Sequence, residues 1–178
     1  FNAKQKTMCL ILAIVVFVIL LRYLGFTETS VYIPFFNINF DFSYFYYPLV
    51  IIGIFYMVNS VNLTDGIDGL AGSVTSVVLL FYVITMFMKG VLGLSYLSAA
   101  ALGAVIGFLL FNLHPAKMFM GDTGSLFLGG LVTGIAVATG NPFLIVIFGI
   151  VYVIESLSVV IQVTSFKLTG KRVFKMSP

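Results

Sequence analysis

The chain has 178 residues, of which 61% are hydrophobic and only 8% are charged, with a net charge of +3 and a mean hydropathy of +1.17. Because soluble domains are about half apolar and about a quarter charged, this composition excludes a water-soluble globular protein. The nine Lys and Arg residues are thinly spread, which argues against nucleic acid binding, and the single cysteine, Cys9, excludes a disulfide framework.

Six apolar segments follow one another along the chain, separated by polar or turn-forming residues. They cover residues 8–25, 43–61, 70–88, 91–113, 124–140 and 143–165, lengths close to the ~20 residues that a helix needs to cross a bilayer. The first follows Lys4 and Lys6 as a signal peptide would, but no small-residue cleavage site comes after it. The sequence therefore predicts an all-α, polytopic transmembrane helix bundle, a single integral-membrane domain over residues 1–178.

Two local patterns refine this prediction. Residues 27–43 alternate polar with aromatic or β-branched side chains around Pro34 and Asn37, which predicts a short hairpin outside the membrane. The pairs Gly103 with Gly107 and Gly130 with Gly134 have the four-residue spacing that lets membrane helices approach closely.

The distribution of positive charge predicts the orientation of the spans. Strict alternation places residues 1–7, 62–69, 114–123 and 166–178 on one side and residues 27–42, 89–90 and 141–142 on the other. The first set carries seven Lys and Arg residues, whereas only Arg22 and Lys89 lie near the second. By the positive-inside rule the first set faces the cytoplasm.

The first polar constellation is Asn59, Asn62, Asp65 and Asp68, which recur every three residues. While the chain stays helical they project from one side, and Gly66 indicates that the helix breaks there and lets the backbone approach a ligand. Two carboxylates beside a membrane are costly unless they are hydrated, paired or metal-bound, which favours functional use. The alternative is a polar loop in which one Asp caps the next helix.

The second constellation runs from Asn112 through His114 to Ser125. Asp122 lies at the start of a predicted helix, where phosphates bind and where a carboxylate can hold a bridging Mg²⁺. The alternative is an ordinary Asp N-cap, and we expect His114 to be a locally satisfied loop residue.

In the last span, Glu155, Ser158 and Gln162 share one helical stripe, with Gln162 nearest the cytoplasmic end. Together the polar residues suit a divalent metal and a soluble diphosphate substrate that meets a lipid phosphate, without naming the reaction.

Three motifs carry a resemblance to a known family: NLTDGIDGLAG, FNLHPAKMFMGDTGSLFLGG and the tail ESLSVVIQVTSFKLTGKRVFKMSP. They resemble the polyprenyl-phosphate N-acetylhexosamine-1-phosphate transferases, and the tail resembles the phospho-N-acetylmuramoyl-pentapeptide transferase branch. The resemblance implies a ten-helix fold, of which this chain is similar to helices four to nine. It also implies Mg²⁺-dependent transfer of phospho-N-acetylmuramoyl-pentapeptide from its UDP carrier to undecaprenyl phosphate, giving lipid I and UMP for peptidoglycan synthesis.

The resemblance also implies roles for individual residues. Asp122 matches the Mg²⁺ ligand, and Asp65 and Asp68 match an acidic pair at the active site, with Asp65 the better candidate for a direct role. Phe119 matches a position that stacks on uracil. The full set matching the nucleoside and diphosphate pocket is Asn59, Asn62, Gly66, Asn112, Phe119, Ser125 and Gln162.

Two departures from the family pattern stand out. An Asp-Asp pair of an earlier cytoplasmic loop is absent, and so is the histidine cluster that follows the SP ending. We therefore expect residues 1–178 to be part of a longer polypeptide, incomplete at both ends and inactive alone. The family further implies a homodimer in the bacterial inner membrane with its active site on the cytoplasmic face.

Two other functions are compatible with parts of the sequence. A sibling enzyme that transfers phospho-N-acetylglucosamine would share the same core residues. A transporter would carry acids on both sides and at mid-membrane in several helices, but here only Glu155 lies deep.

Overall fold

A computed structural model describes residues 2–26, 29–33 and 38–175, and it confirms a helical membrane bundle. The helices of this part are α1 (Ala3–Tyr23), α2 (Tyr46–Thr64), α3 (Leu70–Met88), α4 (Leu92–Asn112), α5 (Gly121–Ala138), α6 (Phe143–Phe148) and α7 (Ile150–Thr169), with a 3-10 turn at Ser43–Phe45. In the described residues, six helices are long and apolar enough to cross a membrane: all but α6. The chain is a multi-pass membrane protein.

The predicted hairpin between the first two spans is present. Strands β1 (Ser30–Ile33) and β2 (Ile38–Asp41) pair in antiparallel fashion, with Ser30 opposite Asp41 and Ile33 opposite Ile38. Pro34 and Asn37, on which part of the prediction rested, lie outside the described residues.

Contacts between loops agree with the predicted alternation of the spans. Asn141 Nδ2, in the turn before α6, donates to the Tyr32 carbonyl of the hairpin over 3.4 Å. At the opposite end of the bundle, Lys6 of α1 contacts Asp122 of α5. Residues 29–33 and 141 therefore share one side, and residues 6 and 122 share the other.

Several predicted helix limits differ from the structure. Helix α1 begins at Ala3 rather than residue 8, and α5 begins at Gly121 rather than 124. The predicted span 143–165 is two helices that break at Gly149. A Cβ on Gly149 would lie 2.5 Å from the Ile145 carbonyl oxygen, so the backbone at the break leaves no room for a side chain.

Helix α2 is the centre of the bundle and packs against α1, α3, α5 and α7, while α3 and α4 form a neighbouring pair. The α2–α5 contact is close because a Cβ on Gly129 would lie only 2.8 Å from Val58 Cα. The prediction that Gly103, Gly107 and Gly130 mark close helix contacts is wrong, since a Cβ there meets no described atom within 4 Å. Gly129, one residue earlier on α5, faces the partner helix instead.

Two hydrogen bonds between side chains attach α7 to this centre. The Tyr152 hydroxyl lies 2.7 Å from Thr75 Oγ1 of α3, and the Tyr56 hydroxyl of α2 lies 2.7 Å from Ser156 Oγ. Among apolar helices, where burial against lipid provides little driving force, such bonds and close packing hold the helices in register. These bonds fix the height of α7 against α2 and α3.

Candidate active site

The end of α2 and the start of α5 meet through one amide side chain. Asn62 Nδ2 donates to Asp122 Oδ1 over 3.1 Å and to Ser125 Oγ over 2.7 Å. Ser125 in turn donates its proton to the Gly121 carbonyl over 3.0 Å, so its hydroxyl is free to accept from Asn62. The close packing at Gly129, one helical turn further along α5, brings these residues within reach of each other.

Lys6 of α1 completes this group. Its Nζ lies 2.6 Å from Asp122 Oδ2, so each carboxylate oxygen of Asp122 has its own nitrogen partner. The sequence analysis did not select Lys6, because it was counted only as a cytoplasmic charge. The sequence did contain one indication of this contact, because Lys6 and Asp122 are predicted to lie on the same side of the membrane.

The capping alternatives for the acidic residues are wrong. Met120 occupies the N-cap position of α5 and Gly69 that of α3, and neither helix start has a side-chain cap. Asp122 instead lies in the first turn of α5, where the partial positive charge of the helix end favours a carboxylate.

Asp65 directly follows the last residue of α2 and is half-buried. Burial raises the pKa of its carboxyl group above the ordinary value, and the negative charge of Asp122 raises it further. A cation beside Asp65 would favour its charged form.

Asp68 belongs to a second group, which joins the two loops. Its Oδ2 accepts from the Ala116 amide over 3.1 Å and lies 3.1 Å from His114 Nδ1. These contacts, the Ala116 amide first and His114 second, hold the pKa of Asp68 below its ordinary value. The expectation that His114 is satisfied locally is corrected, because its partner lies 46 residues earlier in the chain.

The buried side chain of Asn112 joins the same two loops through hydrogen bonds. Its Oδ1 accepts from the Gly69 amide over 3.0 Å, and its Nδ2 donates to the Met118 carbonyl over 2.8 Å. Gly69 has a φ of +74°, a left-handed conformation that glycine adopts without strain. Asn112 thereby holds the loop that carries Phe119, whose ring is 74% exposed.

The other predicted site residues make different contacts. Gly66 lies in the exposed turn after α2, and Asn59 Nδ2 donates to the Phe55 carbonyl of its own helix over 2.7 Å. Gln162 bonds to the backbone of residues 173 and 174. The structure thus brings Asn62, Asp122 and Ser125 into contact, with Asp65 at the end of α2, and places Asp68 and Asn112 in the adjoining loop contact. Substrate binding by Asn59, Gly66, Phe119 and Gln162 stays a prediction.

An open cleft of about 530 Å³ borders the Lys6–Asp122 pair. Its lining changes from charged to apolar, comprising Lys6, Cys9, Leu10, Asp122, Thr123 and Leu126. Such a lining suits a molecule with a charged head and a hydrocarbon chain.

The described residues hold no cluster of three or more His, Cys, Asp and Glu side chains that would bind a metal unaided. Mg²⁺ does not need such a cluster, because it is commonly held by one or two carboxylates, water and substrate phosphates. Asp65, at the end of α2, and Asp122, in the first turn of α5, are carboxylates that could meet this requirement.

Comparison with known proteins assigns the family. Residues 1–140 match the family model described as Glycosyl transferase family 4. The chain belongs to this family. Within the family, a relative from Clostridium botulinum (strain Eklund 17B / Type B), named phospho-N-acetylmuramoyl-pentapeptide-transferase, is 52% identical over 99% of this chain. Relatives of the same name from Halalkalibacterium halodurans and Thermoanaerobacter sp. (strain X514) are each 47% identical, over 99% and 94% of the chain.

These matches confirm the resemblance drawn from the three sequence motifs. The chain spans about half the length of the curated relatives it matches, 54%, 54% and 52% of the three named above.

Proposed function

We propose that this chain is part of an enzyme that transfers phospho-N-acetylmuramoyl-pentapeptide from UDP to undecaprenyl phosphate, forming lipid I and UMP. The observation that carries the proposal is that Lys6 and Asn62 both contact Asp122, and that Lys6 and Asp122 line a cleft whose other walls are apolar. The 52% identity to a relative of that name supports the same reaction.

The reaction is an in-line displacement at phosphorus. An oxygen of the lipid phosphate forms a bond to the sugar-bearing phosphorus of the nucleotide sugar, and the bond from that phosphorus to the bridging oxygen breaks, so that UMP leaves. In such a transfer the protein acts mainly by positioning and by stabilising charge.

We assign the residues of the site separate roles in this reaction. Lys6, at the mouth of the cleft, would draw the lipid phosphate in while the hydrocarbon chain lies along Leu10 and Leu126. Asn62 and Ser125 hold the Asp122 carboxylate in one orientation. The loops that Asn112 and Asp68 join would present Phe119 to the uracil ring.

Mg²⁺ is the proposed cofactor, with Asp122 as its ligand and Asp65 beside it. When bound, the ion would neutralise the diphosphate charge. Asp65, whose pKa is raised by burial and by Asp122, would then face a cation instead of an anion and lose its proton more readily.

Two routes remain open for the carboxylates. In the first, a carboxylate would accept a proton from the lipid phosphate during a single displacement. In the second, a carboxylate would attack the phosphorus and expel UMP, and the lipid phosphate would then attack the covalent intermediate and displace the carboxylate. Inversion of configuration at the transferred phosphorus supports the single step. Retention, together with a trapped phospho-sugar on Asp65 or Asp122, supports two steps.

The proposal is tested by measuring UMP release by the full-length protein in detergent with undecaprenyl phosphate as acceptor. We expect release from UDP-N-acetylmuramoyl-pentapeptide and little from UDP-N-acetylglucosamine. The reverse preference would assign the protein to the sibling that transfers phospho-N-acetylglucosamine, and release from neither would contradict both proposals.

The proposed location is the bacterial inner membrane, with the site on the cytoplasmic face and two copies in a homodimer. The seven basic residues on the side of Lys6 and Asp122 support this orientation. A soluble nucleotide sugar made in the cytoplasm would then reach the site directly.

A further inference from the structure

The chain folds back on itself after α7, in a segment that holds none of the residues to which a role in the reaction is assigned above. We call residues 167–175 the basic hook. Helix α7 ends at Thr169, and Gly170 reverses the chain with a φ of +67° while its amide donates to the Phe166 carbonyl over 3.0 Å. This is a left-handed glycine ending of the kind that commonly closes helices.

Gln162 fastens the hook to α7. Its Oε1 accepts from the amides of Val173 and Phe174 over 3.0 and 2.9 Å, and its Nε2 donates to the Phe174 carbonyl over 3.3 Å. Ser165 Oγ donates to the Lys171 carbonyl over 3.1 Å. Five backbone groups of the hook, from Gly170, Lys171, Val173 and Phe174, are therefore hydrogen-bonded to α7.

The charge of the hook is strongly one-sided. Four of the nine Lys and Arg residues of the chain lie in it, and the last acidic residue before it is Glu155. All four are exposed: Lys167, Lys171, Arg172 and Lys175. The ion pairs of the described residues, Lys6 with Asp122 and His114 with Asp68, involve none of them.

Apolar side chains lie beside these cations. Leu168 is 79% exposed, Phe166 56% and Val173 55%. Cations and apolar groups side by side at the end of a membrane-spanning helix match the chemistry of a lipid interface, where phosphates lie above hydrocarbon.

We infer that the basic hook binds the phosphates of anionic phospholipids, with Gln162 as the residue that positions it. The lipid is a bystander of the proposed reaction, not its acceptor. A cluster of four basic residues next to a membrane helix gains binding energy from each charge near anionic headgroups. The inference rests on the charge and geometry of the hook and does not need the transferase activity.

The test measures lipid preference in the full-length protein. Purified protein in neutral detergent is titrated with phosphatidylglycerol or with phosphatidylcholine, and bound lipid is counted by native mass spectrometry. We expect a preference for phosphatidylglycerol, which K171Q/R172Q reduces by about tenfold because two charges are lost. The control R22Q/K89Q loses two charges at the opposite end of the bundle and should keep the preference.

A third variant separates the hook's shape from its charge. G170V keeps all four cations, and a Cβ there meets no described atom within 4 Å, but a branched residue is strained at this φ. We expect the preference to fall by about threefold, less than on removal of the charges. Equal binding of the two lipids, an equal loss in R22Q/K89Q, or an unaffected G170V would overturn the inference. Displacement of phosphatidylglycerol by inorganic phosphate would also overturn it, since that would show a site for free anions.

Discussion

At the residue scale, Lys6 is a member of the site that the sequence did not predict. It adds a cation to a group of amides and carboxylates, 2.6 Å from Asp122, at the mouth of the cleft. A cation held in place by a carboxylate is suited to binding an anionic phosphate and releasing it after transfer.

We predict that Lys6→Gln in the full-length enzyme lowers kcat/KM by about 100-fold, the usual cost of removing one group that stabilises developing charge. The neighbouring Lys4 is exposed on the same helix and serves as the control. Lys4→Gln should stay close to wild type in the UMP-release assay. Equal losses in both variants would show that Lys6 contributes only to the general positive field.

Asp68 gives a prediction for the dependence of stability on pH. Its folded pKa lies below the ordinary value, because the Ala116 amide and His114 favour the charged form. Asp68 therefore stabilises the fold at pH values above its unfolded pKa, and this contribution disappears as the pH falls through the folded pKa.

Asp68→Asn should accordingly lower the thermal midpoint at neutral pH, and the difference from wild type should shrink on acidification below pH ~4. The measurement is thermal unfolding in detergent across pH. A difference that stays constant down to the most acidic conditions would show that the Asp68 charge is not involved.

At the element scale, the contact between α2 and α5 sets the distance between Asn62 and Asp122. Gly129 permits that contact, since a Cβ there would lie 2.8 Å from the Val58 backbone. Gly130, the next residue, faces open space among the described residues. The two glycines form a matched pair for testing the role of helix separation.

We predict that Gly129→Ala costs about 1–3 kcal/mol of unfolding free energy, because the helices must move apart. It should also lower UMP release by stretching the Asn62–Asp122 hydrogen bond. Gly130→Ala should change neither. Reversible denaturation in detergent and the activity assay check both points, and a tolerated Gly129→Ala would show that the α2–α5 interface can adjust without disturbing the site.

Composition and hydropathy predicted the helical class, the number of spans and their order. The limits that failed are those that depend on packing. The last span breaks at Gly149, and Gly129 rather than Gly130 makes the contact between α2 and α5. A spacing rule predicts neither feature.

The sequence likewise predicted site residues that lie close together in the chain, but not the contacts between distant residues. The spacing of Asn62 and Asp65 placed them at the end of one helix, and the structure adds Asp122 and Ser125 to that group. The partners that were not predicted, Lys6 for Asp122 and His114 for Asp68, lie 116 and 46 residues away in the chain. Only the fold brings such residues together, and no local pattern encodes them.

At the scale of the whole molecule, the orientation in the membrane is a separate prediction. In a Cys9→Ala background, Lys117→Cys and Asn39→Cys place one thiol at each end of the bundle. We expect a membrane-impermeant maleimide to label the Asn39→Cys protein from outside the cytoplasmic membrane, and the Lys117→Cys protein only after that membrane is permeabilised. The opposite pattern would place the Lys6–Asp122 group on the outer face and contradict the proposed orientation.

The proposed role of the group around Asp122 is that of a Mg²⁺-dependent centre for transfer of a phospho-sugar. Its most direct test is the Mg²⁺ dependence of UMP release by the full-length enzyme, comparing wild type with Asp122→Asn. We expect release that requires Mg²⁺ in the wild type and falls by about 100-fold or more in the variant. Release that is independent of Mg²⁺, or unchanged in Asp122→Asn, would contradict it.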